Sequence, residues 1–124
     1  HGSSYPALLK SPYHAATTSH DMTSDELCFT CHRYDVYADT TSSAAVHALS
    51  RFNAPALAMG HAGHVGGEHI ACYVCHTSHG STTLPHLLVT GRVPGLTSVS
   101  QSSNGGSCTS TCHASQSWTV NYGR

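Results

Sequence analysis

The sequence has little charge, few aromatic residues and no long apolar run. Charged residues make up 9% and aromatic residues 7% of the 124 positions, whereas ordinary soluble domains carry roughly 25% charged residues. The net charge is −1 with neutral histidines, which does not suit a nucleic-acid partner. No apolar run approaches the roughly 18 residues of a transmembrane helix, so we expect no membrane span.

Hydrophobic side chains are also scarce for a chain of this size. They account for 39% of the residues, and 124 residues suffice for one domain. We therefore expect residues 1–124 to form a single domain. Pro6 and Pro12 indicate that residues 1–22 form an extended N-terminal arm. We expect residues 114–124 to form a C-terminal tail.

Cysteine and histidine dominate what is present. All six cysteines fall into three pairs, and each pair is followed directly by histidine. The first motif (28–32) and the second motif (72–76) read Cys-x-x-Cys-His, whereas the third motif (108–113) has one extra residue. Two thiols at this spacing can bond to both vinyl groups of one haem, and the adjoining imidazole then ligates its iron. The sequence therefore predicts three haems c.

The expected covalent attachment residues are Cys28, Cys31, Cys72, Cys75, Cys108 and Cys112, and the expected proximal iron ligands are His32, His76 and His113. Three porphyrins would supply the apolar core that the side chains lack. Two other interpretations are weaker. Zinc motifs normally place their cysteine pairs closer together than Cys31 and Cys72, and disulfides would leave the adjoining histidines unexplained.

Histidine exceeds what three haems require. The chain has 12 histidines, so nine remain after the proximal ligands are assigned, and only three irons need a second ligand. Met22 and Met59 are rarer alternatives. Saturated coordination favours electron transfer, because haem catalysis needs an open iron. The candidate distal ligands are the glycine-flanked His61 and His64, His79 beside Gly80, and His14 and His20 in the arm.

Local signals predict only short regular elements. Residues 23–26 have a capping-box pattern that predicts a short helix through the first motif. Residues 40–43 precede a second helical segment at 44–49. Residues 80–107 are rich in Gly, Ser, Thr and Pro and are expected to be loop, with a turn at 104–107. The expected fold is mostly irregular, with a few short helices wrapped around a haem core and little or no sheet.

Residues 27–113 resemble the multihaem c-type cytochromes with repeated Cys-x-x-Cys-His motifs. That resemblance implies that His61, His64 and His79 are distal ligands. The third motif departs from the pattern by one residue, a spacing that also occurs among multihaem cytochromes. Low charge, a histidine surplus and 32 Ser and Thr residues make the chain similar to subunits of extracellular cytochrome filaments.

The functional expectation is electron transfer rather than catalysis. Because haem c is attached after export, we expect a mature chain whose signal peptide has been removed, at an extracellular or cell-surface location. Expected partners are identical subunits in a homopolymer, redox donors and acceptors, and O-linked glycans on Ser or Thr. The alternatives are a soluble periplasmic trihaem shuttle and a haem enzyme or sensor with an open iron.

Overall fold

Regular structure is sparse and its helices are single turns. The computed structural model describes residues 2–5, 9–52, 60–77 and 81–119. In chain order the helical elements are a 3-10 turn at Leu27–Thr30, α1 at Tyr34–Tyr37, α2 at Ala44–His47, a π turn at Gly63–Gly67, and 3-10 turns at Cys72–Val74 and Pro85–Leu87. Within the described ranges no helix has the length and apolar character needed to cross a bilayer.

The two predicted helices have different outcomes. Helix α2 is confirmed: Ser43 has extended backbone and its hydroxyl accepts a hydrogen bond from the Val46 N–H at 3.4 Å, as expected of an N-cap. The continuous helix predicted through the first motif is wrong. The Thr23 hydroxyl bonds the Asp25 carboxylate instead of capping backbone N–H groups, and only the 3-10 turn Leu27–Thr30 forms there.

The expectation of little or no sheet is wrong. Strands β1 (Leu96–Ser102), β2 (Gly105–Ser110) and β3 (Gln116–Thr119) form a three-stranded antiparallel sheet in the order β1-β2-β3. In this register Cys108 of the third motif pairs with Val99 on one side and with Gln116 on the other. The third motif therefore begins on the central strand.

The sheet lacks a strong sequence signal. β1 reads Leu-Thr-Ser-Val-Ser-Gln-Ser and buries only Leu96 fully, so apolar and polar residues do not alternate regularly. Ser102 pairs with Gly105, which leaves a two-residue hairpin turn. The turn predicted at 104–107 is therefore wrong beyond Asn104, because β2 starts at Gly105 and Ser107 pairs with Ser100. Whether such polar segments form strands depends more on pairing with neighbouring strands than on the intrinsic strand preference of their residues.

The side-chain core is thin. Among the described residues the buried apolar side chains are Met22, Val36, Ala38, Ala62, Val65, Ala71, Val74, Leu96 and Cys108. The accessible surface is 7753 Å², whereas a compact monomer of this mass exposes about 6300 Å². The chain thus buries less of its own surface than a domain with a full side-chain core.

The N-terminal arm is hydrogen-bonded to later parts of the chain. Its described part, residues 2–5 and 9–22, contains no helix. The Leu27 N–H donates to the Pro12 carbonyl at 2.6 Å and the His20 N–H donates to the His69 carbonyl at 2.8 Å. These bonds bring the arm against the start of the first motif and the residues that precede the second.

Gly66 marks a close approach between two backbone segments, and its replacement should destabilise the protein. A Cβ at Gly66 would overlap the carbonyl oxygen of Ala38, whereas a Cβ at Gly67 would meet nothing within 4 Å. We expect Gly66→Ala to lower the free energy of unfolding by about 1–3 kcal/mol, as overpacked sites do. Gly67→Ala in the same π turn is the matched control. Equal thermal midpoints for both variants would contradict this packing.

Candidate functional site

The first and second motifs share one backbone conformation. Each contains a 3-10 turn that follows an extended residue: Leu27–Thr30 follows Glu26 (φ −55, ψ 144), and Cys72–Val74 follows Ala71 (φ −64, ψ 147). The turn starts one residue before the first motif and at the first residue of the second. In each motif the histidine N–H donates to the carbonyl of the first cysteine at 2.9 Å, and the second cysteine N–H donates to it at 3.3 Å. The same five-residue pattern thus folds in the same way at both places.

The third motif is built differently. It starts on β2 and leaves the strand at Ser110. The Ser110 hydroxyl accepts hydrogen bonds from the N–H groups of Cys112 at 3.1 Å and His113 at 3.2 Å. The side-chain oxygen therefore replaces the cysteine carbonyl that performs this role in the other two motifs, and the extra residue is accommodated in the turn.

The second motif is held by residues 87–92, which lie within the segment predicted to be loop. The Thr77 N–H donates to the Leu87 carbonyl at 2.9 Å and the Val89 N–H donates to the Cys75 carbonyl at 3.0 Å. The Arg92 guanidinium donates to the Tyr73 carbonyl, and to the His76 carbonyl at 2.7 Å. It also lies 3.6 Å from the centre of the Tyr73 ring, in cation–π geometry.

Two pairs of imidazoles lie close to one another. The ring centres of His61 and His76 are 6.1 Å apart with an interplanar angle of 25°. The ring centres of His64 and His113 are also 6.1 Å apart, with an angle of 55°. Two imidazoles that ligate one metal ion from opposite sides have ring centres roughly 6 Å apart, since each metal–nitrogen bond is about 2 Å long. Each pair combines a motif histidine with one glycine-flanked histidine.

The hydrogen bonds of these four rings all involve Nδ1. His76 Nδ1 donates to the His86 carbonyl at 2.9 Å, His64 Nδ1 to the Gly60 carbonyl at 3.1 Å, and His113 Nδ1 to the Ala114 carbonyl at 2.7 Å. His61 Nδ1 bonds the Ser50 hydroxyl. A carbonyl only accepts, so in His64, His76 and His113 the proton is on Nδ1 and the Nε2 lone pair remains for a metal.

Burial keeps the His61–His76 pair neutral. Desolvation, together with the neighbouring His76, His64 and His32, lowers the pKa of His61 to about 3. Desolvation also lowers the pKa of His76 below its usual range. Both rings are therefore neutral near pH 7, and the neutral imidazole is the metal-binding form.

The cysteines of the three motifs lie close to one another. The Cys72 thiol is hydrogen-bonded to the Cys28 sulfur, which lowers the pKa of Cys28 to about 7 and raises the pKa of Cys72. Burial, followed by the neighbouring Cys108 and Cys112, raises the pKa of Cys75 to about 11. The second motif thus touches the first through one cysteine and approaches the third through the other.

A groove adjoins the proximal histidine of the first motif. It has a volume of about 270 Å³ and is lined by Cys31, His32, Arg33, Val36, Tyr37 and Leu49. Leu49 is 60% exposed. The groove combines one thiol and the imidazole of the motif with Arg33, Tyr37 and the apolar side chains of Val36 and Leu49.

The other distal candidates have varied surroundings. His14 stacks on His20 with ring centres 3.7 Å apart, and His14 Nε2 is buried without a hydrogen-bond partner. His20 Nε2 instead contacts the Glu26 carboxylate at 2.7 Å. His79 lies outside the described residues. The remaining described histidines are His47, whose Nε2 bonds the Asp39 carbonyl, His69, whose Nδ1 contacts Asp21, and the exposed His86.

The donor geometry fits an iron that takes two protein ligands. Within the described ranges no three His, Cys, Asp or Glu side chains converge on one point as a metal-binding group. A haem iron does not require three, since the porphyrin supplies four nitrogens and the protein only the axial ligands. Paired imidazoles with free Nε2 atoms, next to Cys-pair motifs, match that requirement.

Comparison of the chain with protein-family models, with curated proteins and with solved structures found no match.

Proposed function

We propose that this protein transfers electrons through three covalently attached c-type haems. The observation that carries the proposal is the pair of facing imidazole couples, His61 with His76 and His64 with His113, each 6.1 Å between ring centres. In each couple the motif histidine is the proximal ligand and its partner is the distal ligand. The thin side-chain core also favours bound porphyrins.

Haem supplies a one-electron couple at its iron when it is bound. The paired histidines of this chain would hold that iron through neutral imidazoles, and in His64, His76 and His113 hydrogen bonds fix the proton on Nδ1. Two strong protein ligands leave no position for a substrate, so His61 and His64 favour electron transfer over catalysis. We therefore propose that the protein is not an enzyme.

The arrangement of the cysteines supports a continuous path. Cys28 adjoins Cys72, and Cys75 neighbours Cys108 and Cys112. The attachment sites thus follow one another in the order first, second, third motif. Tunnelling rates fall exponentially with distance, so a chain that gathers its attachment sites in this way brings its redox centres close together.

A finer proposal concerns location and assembly. Low charge and abundant Ser and Thr favour an extracellular or cell-surface subunit that polymerises with identical subunits, bears O-linked glycans, and exchanges electrons with redox donors and acceptors. The exposed apolar side chain of Val93 (76%) provides surface for such contacts. The alternative is a soluble periplasmic shuttle, which would normally carry a charged docking face.

The absorption spectrum and the intact mass of the native protein test the haem proposal. We expect three covalently bound haems per chain, a low-spin spectrum for the two imidazole-paired sites, and no carbon monoxide binding at those sites after reduction. A colourless protein with zinc or disulfides would contradict the proposal. High-spin, carbon monoxide-binding haem at every site would instead favour an enzyme or sensor.

The same preparation tests assembly. Imaging and mass measurement are expected to show polymers of the holoprotein. A strictly monomeric trihaem protein would refute the filament and leave the shuttle, without affecting the haem assignment.

A further inference from the structure

Ser50 has the most enclosed polar side chain of the site. It is 1% exposed and is the largest fully buried side chain among the described residues. Its hydroxyl bonds Nδ1 of His61, and it is also within hydrogen-bond distance of the Phe52 carbonyl and the Phe52 N–H, each at 3.3 Å. A buried hydroxyl that makes three such contacts is well placed to orient the ring it touches.

The directions of these hydrogen bonds follow from the proposed ligation. If His61 binds iron through Nε2, its proton is on Nδ1, so the Ser50 oxygen accepts from Nδ1–H. The Ser50 oxygen also accepts from the Phe52 N–H, and its single proton is then donated to the Phe52 carbonyl. The His61 backbone N–H also donates to the Phe52 carbonyl at 3.0 Å, which closes the network.

Ser50 distinguishes His61 from the other paired histidines. His64, His76 and His113 each donate from Nδ1 to a backbone carbonyl, whereas His61 donates to a hydroxyl. An Nδ1–H donor bond increases the electron density that the imidazole gives to a metal. The acceptor on Nδ1 therefore influences the iron without touching it.

We propose that Ser50 is a positioning residue for His61: its hydroxyl holds the ring with Nε2 available to iron and sets the reduction potential of the haem between His61 and His76. This inference rests on the proposed function, since it assumes that the pair holds a haem. The Phe52 ring packs edge-on against His61, with ring centres 5.3 Å apart, and supports the same orientation.

Potentiometric titration of the Ser50→Ala holoprotein tests the proposal. Loss of the acceptor reduces electron donation from His61, so ferric iron is less stabilised and one of the three potentials should rise. Loss of an outer-shell partner typically changes metal affinity by 10-fold or more. A tenfold change in the relative affinity for ferric and ferrous iron corresponds to about 59 mV for a one-electron couple. The other two potentials should stay at their wild-type values.

Two variants separate positioning from a purely structural role. Ser50→Thr keeps the hydroxyl and should restore the wild-type potential. Ser43→Ala removes a hydroxyl that caps α2 through the Val46 N–H, so it should lower the thermal midpoint without moving any potential. If Ser50→Ala does not yield holoprotein, the near-isosteric Ser50→Cys, a weak acceptor, carries the test with the same expected direction.

Two results would overturn the inference while the function stands. The first is a low-spin trihaem Ser50→Ala or Ser50→Cys protein whose reduction potentials are unchanged. The second is a Ser50→Thr protein whose reduction potential shifts as much as that of Ser50→Ala. Failure of the function is recognised separately, because wild-type protein would then contain no haem or only high-spin, carbon monoxide-binding haem.

Discussion

Replacement of His61 by alanine is expected to convert one haem of the three from low spin to a five-coordinate, high-spin form that binds carbon monoxide. His61 is the ring opposite His76, and alanine leaves the iron with the proximal imidazole alone. The absorption spectrum of the reduced protein with and without carbon monoxide measures the change. Haem content should remain at three per chain, because the cysteines are untouched.

His69→Ala is the matched control for this experiment. His69 is exposed and its Nδ1 contacts the Asp21 carboxylate at 2.5 Å, so its loss should leave the haem spectrum unchanged. His64→Ala should make a different haem, the one proposed to be held by His113, five-coordinate and able to bind carbon monoxide. The variant that combines His61→Ala and His64→Ala should show this change at two haems. A His61→Ala protein whose haems all remain low-spin would contradict the pairing of His61 with His76.

Removal of the second haem is expected to interrupt electron transfer between the other two. In a protein with Cys72 and Cys75 replaced by serine, one haem should be missing from the intact mass. Electron equilibration between the remaining haems should slow by orders of magnitude, because the second motif neighbours both Cys28 and the third-motif cysteines. Pulsed reduction followed by optical detection measures this rate.

The double replacement of Cys108 and Cys112 by serine supplies the control. It also removes one haem, but it leaves the contact between Cys28 and Cys72 intact, so rapid equilibration between the first and second haems should persist. Equal slowing in both double variants would contradict a central position for the second motif.

Local patterns were informative where neighbouring residues in the chain decide the structure. The Ser43 cap of α2 was predictable, because capping involves residues three apart. The sheet was not, because β1 and β2 contain mostly Ser, Thr and Gly and are defined by their pairing with one another. The capping pattern at residues 23–26 failed because the Thr23 hydroxyl bonds a side chain instead of the backbone.

The candidate site, like the fold, was predictable from the sequence only in part. The sequence by itself determined the three cysteine-pair motifs and their proximal histidines, because thiols and imidazole within five or six residues are necessarily close. It also singled out His61 and His64 as ligand candidates. Only the tertiary structure decided that His61 faces His76 and His64 faces His113, and that Ser50 bonds His61. These contacts join residues far apart in the chain, and their distances depend on how the whole backbone folds.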